Sequence, residues 1–264
     1  MTPPKSRVAP PPAEPPTVTR PPSQGDSVSV GPLLATPRGG GLRRYLSQVW
    51  ALVWKDLAAE RRTKEILSAM LVFGLLVVLI FNFAFDLRRV EMDLVGPGIL
   101  WVAFTFAGVL GLNRAFALEK DRGALEGLML APMDRSAIYL GKLISTFLLM
   151  TIMELAVVPV FALLNNQSIR IELVPVFLMG TLGFVAAGTV FAALSANTRT
   201  REVLLPILLF PILVPVIITA VGATALVLRG GVGEELAAPL AMLATFDVVF
   251  LVMGFLVFEY VIEE

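Results

Sequence analysis

Two carboxyl groups lie deep inside long apolar runs of this 264-residue chain, where an acidic side chain is most costly. Glu154 is ten residues before Leu164, where one run ends, and Asp247 is eleven residues after Leu236, where another begins. In membrane-spanning helices, both groups would lie roughly 15 Å from the same face, near the midplane. Intramembrane carboxyl groups mark substrate or proton pathways, or they fix helix packing through hydrogen bonds.

The surroundings of the two groups allow two interpretations. No Lys or Arg lies at that depth in the predicted spans, so neither carboxylate has a cation beside it. In the first interpretation, each group is hydrogen-bonded to a nearby threonine, such as Thr151 or Thr245, and only fixes packing. In the second, both line a wet cavity between the third and sixth spans and take part in the working cycle.

The residue types that are absent exclude most catalytic chemistry. The chain has no His and no Cys, which removes the usual general base, the usual metal ligand and all thiol chemistry. It has no Gly-x-x-x-x-Gly-Lys-Ser/Thr, His-Glu-x-x-His or Gly-x-Ser-x-Gly motif. The formal net charge is zero, so there is no overall basic field for nucleic acid. We predict no catalytic residue, no metal site and no nucleic-acid partner, and hence a chain that is not an enzyme.

The long polar interruption between residues 118 and 142 has the pattern of a short amphipathic helix. Three apolar side chains share one side of a helical turn: Leu125, Leu128 and Met129. Pro132 ends this helix, and Asp134 follows as a candidate N-cap for the next one. Such an element either lies on lipid headgroups or docks a soluble partner.

Composition indicates a membrane protein. Hydrophobic residues make up 56% of the chain, and the mean hydropathy is +0.81. Apolar runs of about 20 residues cross a bilayer of roughly 30 Å as helices, and they are too long for barrel strands. The sequence therefore predicts an all-α fold, with six spans inside a domain of residues 42–264: 66–85, 96–118, 137–164, 171–196, 203–228 and 236–261.

Two segments of different character precede the spans. Eleven of the nineteen prolines fall in residues 1–40, so we expect residues 1–41 to form a disordered tail. Residues 43–64 have apolar side chains at helical spacing, including Trp50 and Trp54, with charged residues between them. This pattern predicts an amphipathic helix that lies in the membrane interface.

The distribution of Lys and Arg predicts the orientation. With the N-terminus in the cytoplasm, the inner segments carry thirteen basic residues and the outer loops carry four, leaving out the tail. Positive residues accumulate on the cytoplasmic side of membrane proteins. We therefore expect both termini, the tail and the polar interruption to be cytoplasmic.

Two spans contain unusual residues. The fifth span has prolines at 206, 211 and 215, and each removes a backbone hydrogen bond. We therefore expect this helix to be bent or broken at Pro206, Pro211 and Pro215. The fourth span carries Gly180, Gly183 and Ala187, which let a neighbouring helix approach closely, either within the chain or in a dimer.

Several stretches carry a resemblance to a known family. The core GALEGLMLAP, residues 123–132, resembles the cytoplasmic coupling region of type-2 ABC exporter permeases. Three further stretches narrow the resemblance to one family of these permeases. They are PGILWV at 97–102, GLNR at 111–114, and the proline-containing run at 204–215. Together they are similar to the CcmB family, the haem exporter protein B of cytochrome c maturation, over residues 43–264. The proline-rich tail is not part of the resemblance.

The resemblance implies a permease subunit of the plasma (inner) membrane that dimerises and binds a CcmA-like ATPase subunit, where ATP is bound. The residues that it implies for ATPase docking are Gly123, Leu125, Glu126, Leu128, Met129 and Pro132. It also implies a CcmC-like haem-handling membrane partner, and delivery of haem to a haem chaperone on the outer side.

Haem is expected only as a transported substrate, with no cofactor tightly bound. Haem iron is usually held by His, Cys, Met or Tyr. This chain has ten Met and three Tyr, but no His and no Cys. Two alternative functions stay open at this stage. One is an exporter permease for another amphiphile, and the other is a scaffold for assembly that transports nothing.

Overall fold

Long α-helices make up nearly all of the chain that the computed structural model describes, which is residues 41–84, 92–121, 133–196, 198, 200–231 and 233–261. The helices are α1 (Gly41–Thr63), α2 (Glu65–Ala84), α3 (Met92–Asp121), α4 (Arg135–Leu164), α5 (Leu173–Ala196), α6 (Arg201–Leu228) and α7 (Glu234–Val261). Helices α2 to α7 are each long and apolar enough to cross a membrane. The predicted all-α class with six spans is confirmed. The predicted tail, up to residue 40, lies outside the described residues.

Helices α3 and α5 form the centre of the bundle, and 67% of the apolar stretch of each is buried. Their close approach depends on a missing side chain, because a Cβ at Gly180 would overlap the Trp101 ring. The indole Nε1 of Trp101 donates a hydrogen bond of 3.0 Å to Thr224 Oγ1 in α6. Gly180 of α5 thus serves packing within the chain.

Helix α1 has one buried and one exposed apolar side. Val49, Leu52 and Val53 are buried, and Val49 and Val53 form a cluster with Ala137 of α4. Trp50 and Trp54 are 64% and 60% exposed on a different side of the helix. An amphipathic helix with exposed tryptophans suits the membrane interface, and its location there stays a prediction.

The junction of α1 and α2 is a sharp break without a loop. Lys64 adopts a left-handed conformation, with φ of 54°, between the two helices. The buried carboxylate of Glu60 then accepts hydrogen bonds from the backbone N–H groups of Ile66 (3.3 Å) and Leu67 (2.7 Å). These donors belong to the first turn of α2 and have no partner within the helix. Glu60 therefore caps α2 from within α1.

The three prolines of the fifth span lie inside one continuous helix, α6. Of the two alternatives that the sequence allowed, bent or broken, a break does not occur, because the helix runs from Arg201 to Leu228. A proline removes only one donor, and neighbouring helices can stabilise the remaining backbone in a membrane bundle. Kinks at Pro206, Pro211 and Pro215 stay a prediction.

Candidate functional site

The predicted docking segment, with Gly123, Leu125, Glu126, Leu128, Met129 and Pro132, lies outside the described residues. The structure does describe its two ends, since α3 ends at Asp121 and α4 begins at Arg135. Asp134 occupies the N-cap position of α4 in an extended conformation, but its side chain makes no capping hydrogen bond. Within the described residues, the candidate site therefore consists of the side chains that fix the end of α3 and the beginning of α4.

A buried ion pair ties the beginning of α4 to α1. Lys142 Nζ lies 2.8 Å from Asp56 Oδ2, and Lys142 is only 4% exposed. Lys55 Nζ adds a more exposed contact, 3.4 Å from Asp56 Oδ1. Lys142 Nζ also lies 6.0 Å from the ring centroid of Phe116 in α3. The pair thus joins α1, α3 and α4 about two turns from the residue where α4 begins.

Packing of α1 on α4 places the partners of this ion pair. Leu52 lies directly over Gly141, where a Cβ would be 2.8 Å from the Leu52 Cβ. Asp56 follows Leu52 by one turn on the same side of α1, and Lys142 follows Gly141 in α4. The apolar contact therefore brings the two charges together, although 86 residues separate them in the chain.

A cavity of about 180 Å³ adjoins the ion pair between α1, α2, α3 and α4. Seven of the residues that line it carry a charged or hydroxyl group: Lys55, Asp56, Glu60, Thr63, Lys142, Ser145 and Thr146. Leu118 lines the α3 side, so the cavity reaches both helices that flank the docking segment. Sequence reasoning missed this cluster. Its signal was Lys142 itself, because a cation inside an apolar run needs a nearby counter-ion.

Glu154 is buried between α4 and α5 and has a hydrogen-bond partner. The hydroxyl of Thr181 in α5 donates to Glu154 Oε1. Thr151, which the sequence suggested as the partner, donates to the backbone oxygen of Phe147 at 2.8 Å. A threonine does bond Glu154, as the first interpretation expected, but it is not Thr151, because a helical threonine readily bonds the carbonyl four residues back in its own helix.

Asp247 is equally buried, on α7, and its Oδ1 has no hydrogen-bond partner among the described residues. This oxygen lies over Gly183 of α5, where a Cβ would be 2.7 Å away. The suggested partner Thr245 donates to the backbone oxygen of Ala241 at 2.8 Å, so this expectation was wrong for the same reason.

The two carboxyl groups contact α5 from different sides. Their contacts, Thr181 and Gly183, are two residues apart, which is about 200° around a helix. Glu154 lines a mostly apolar groove of about 200 Å³ between α4 and α5, which Asp247 does not line. The structure therefore does not bring the two groups into one cavity between the third and sixth spans.

Comparison with known proteins gives one consistent relationship. The family model described as CcmB protein matches residues 47–263. The heme exporter protein B of Rhodobacter capsulatus is 32% identical over 196 residues, which is 74% of this chain and 88% of that protein. The protein of the same description from Haemophilus influenzae is 32% identical over 61% of this chain and 74% of its own. That of Escherichia coli K12 is 29% identical over 66% and 80%.

Proposed function

Because the chain belongs to the CcmB family, we propose that it is the permease subunit of an ABC transporter that exports haem for cytochrome c maturation. The observation that carries the proposal is the family match over residues 47–263, a range that includes all six apolar helices. The cargo in this proposal is taken from the relatives, which are described as heme exporter protein B and of which one is matched over 88% of its length.

Removal of the chain tests this proposal directly. Cells that lack it should lose covalently bound haem from their c-type cytochromes, and they should keep haem in b-type cytochromes, which hold it without covalent attachment. Haem-stained gels of membrane fractions measure the covalently bound haem of c-type cytochromes. Reduced-minus-oxidised spectra measure the haem of b-type cytochromes. Normal c-type cytochromes in the deleted strain would contradict the proposal and favour export of another amphiphile.

The energy for transport comes, in this proposal, from a CcmA-like ATPase subunit that docks on the segment between α3 and α4. The sequence supports this because it has no nucleotide-binding motif of its own. The buried Lys142–Asp56 ion pair supports a coupling route, since a displacement of the start of α4 would carry α1 with it. Because α1 also caps α2 through Glu60, the same displacement would reach the first span.

The remaining parts of the proposal concern the assembly and its cargo. The chain would lie in the inner membrane as a homodimer beside a CcmC-like haem-handling protein, and haem would be delivered to the haem chaperone outside. With no His or Cys, the subunit would contact the macrocycle of haem rather than hold its iron.

Labelling of single cysteines tests the proposed orientation, and the natural chain has no Cys to interfere. We expect a membrane-impermeant thiol reagent, added to intact cells, to label Gln167→Cys and to leave Arg122→Cys unlabelled. After the cells are broken, both variants should react, which controls for reactivity. Labelling of Arg122→Cys alone in intact cells would reverse the orientation and move the docking segment outside.

Amide substitutions test the proposal that the intramembrane carboxyl groups have a role in transport beyond packing. Glu154→Gln keeps an acceptor for Thr181, and Asp247→Asn keeps the shape of its side chain over Gly183, but neither amide can ionise. We expect both variants to assemble with their partners, and at least one to lower the yield of c-type cytochrome. Full maturation in the double variant would leave packing as the only role.

A further inference from the structure

A second and larger cavity opens between α2, α3 and α6, and Leu118 of α3 lines both this cavity and the one beside the ion pair of Lys142. Its volume is about 560 Å³. Its lining on α3 runs from Phe106 to Leu118, which spans roughly 18 Å along the helix axis. Leu118 lies three residues before α3 ends at Asp121, where the proposed docking segment follows. The cavity therefore begins at the proposed cytoplasmic end of the bundle and extends inward.

The part of this cavity that lies deeper in the helix bundle is aromatic. Phe73 of α2 and Phe106 of α3 line it, with their ring centroids 6.3 Å apart. Phe210 of α6 extends the row, with its ring centroid 5.4 Å from that of Phe106. Phe210 packs on Phe106 but is not among the residues that line the cavity, so α2 and α3 contribute one ring each to the lining. Phe106 is 45% exposed although it lies in a central helix. Such a surface favours contact with a flat aromatic body.

The part of the cavity at the proposed cytoplasmic end of the bundle is charged. Arg114 of α3 donates a hydrogen bond to Glu65 of α2, and the two side chains are 42% and 38% exposed. Asn113 and Glu202 line the same end. The guanidinium is therefore placed to hold a carboxylate at the cavity wall, which is the anion that it binds best. Glu65 pairs with Arg114 while no bound molecule offers a carboxylate.

The lining offers no usual ligand for haem iron. None of the described residues that line the cavity is His, Cys, Met or Tyr. A macrocycle in this cavity would be held through its aromatic surface and its carboxylates, and the metal would contribute little.

We infer that this cavity is where the subunit binds its cargo, a flat macrocycle with carboxylate groups, from the inner leaflet. A carboxylate of the cargo replaces Glu65 on Arg114, and the macrocycle lies against Phe73 and Phe106. The inference rests on the proposed function, which supplies the class of cargo. Binding would release α2 from α3 at its first turn, next to the junction with α1.

The test measures binding of iron-free protoporphyrin IX to the full chain in lipid nanodiscs, by titration of the porphyrin fluorescence with empty nanodiscs subtracted. We expect Arg114→Gln to weaken binding about tenfold, since a charge-assisted pair is lost. Glu65→Gln removes the competing carboxylate and should tighten binding, and Glu202→Gln should change it in the same direction. An ion pair with a purely structural role would instead weaken binding in both the Arg114 and Glu65 variants.

Two ligand controls and one protein control sharpen the test. The dimethyl ester of protoporphyrin IX lacks free carboxylates, so it should bind weakly and equally to wild type and Arg114→Gln. Haem should compete with the iron-free porphyrin at similar concentration, because no side chain of the lining holds the iron. Arg170→Gln, an exposed arginine in the connection between α4 and α5, should leave porphyrin binding unchanged.

Three outcomes would overturn the inference. They are an absence of saturable porphyrin binding in wild type, equal binding by wild type and Arg114→Gln, and binding that depends on iron. Each leaves the proposed function in place if deletion of the chain still abolishes c-type cytochromes. The failure of this site and the failure of the function can thus be told apart.

Discussion

We expect replacement of Leu125 or Leu128 by aspartate to abolish recovery of the proposed ATPase subunit with this chain. Both leucines lie on the apolar side of the short helix that the sequence predicts between α3 and α4. A charge in a docked apolar contact is buried without a partner, which is costly. A loss of at least about 2 kcal/mol, typical of a central interface residue, would weaken association roughly thirtyfold. Copurification through a tag on this chain, followed by an ATPase assay, measures the effect.

Matched conservative variants control for this experiment. Leu125→Met and Leu128→Met keep the apolar surface and should retain the ATPase. The aspartate variants should still elute as a single membrane species with unchanged helix content, since the six spans do not include the segment. Retention of a fully active ATPase by both aspartate variants would show that the helix lies on lipid headgroups and that docking uses another surface.

Asp56→Asn should destabilise the protein more than any other single charge removal in the described residues. Lys142 would keep its buried ammonium group but lose the carboxylate 2.8 Å away. Removal of one partner from a buried ion pair typically costs about 3–5 kcal/mol, because the remaining buried charge loses its counter-ion. We expect the melting temperature in detergent to fall by about 10 °C. Intrinsic tryptophan fluorescence measures the unfolding transition.

A double variant and an exposed ion pair distinguish charge burial from general damage. Asp56→Asn combined with Lys142→Met removes both charges and should recover much of the lost stability. Glu65→Gln breaks the Arg114 pair, whose side chains are 42% and 38% exposed, and should cost less than about 1 kcal/mol. Equal losses at the two pairs, or no recovery in the double variant, would contradict a buried pair that joins α1 to α4.

The fold class could be predicted from the sequence because it depends on local properties of the chain. An apolar run long enough to cross a bilayer must satisfy its own backbone groups, and a helix does so within the run. The six spans and the amphipathic α1 therefore follow from length and spacing alone. The family could also be identified early, because the resemblance depends on short stretches such as residues 97–102 and 123–132.

Tertiary packing alone decided the partners of the buried polar groups. Glu154 could be placed near the midplane by counting residues, but its donor proved to be Thr181, 27 residues away in the next helix. Asp247 lies over Gly183 on another side of α5, and Asp56 meets Lys142 across 86 residues. A helical period states which residues share a face, but it does not state which helix that face contacts. That choice depends on how the apolar faces of all the helices fit together, as where Leu52 lies over Gly141 and Gly180 makes room for Trp101.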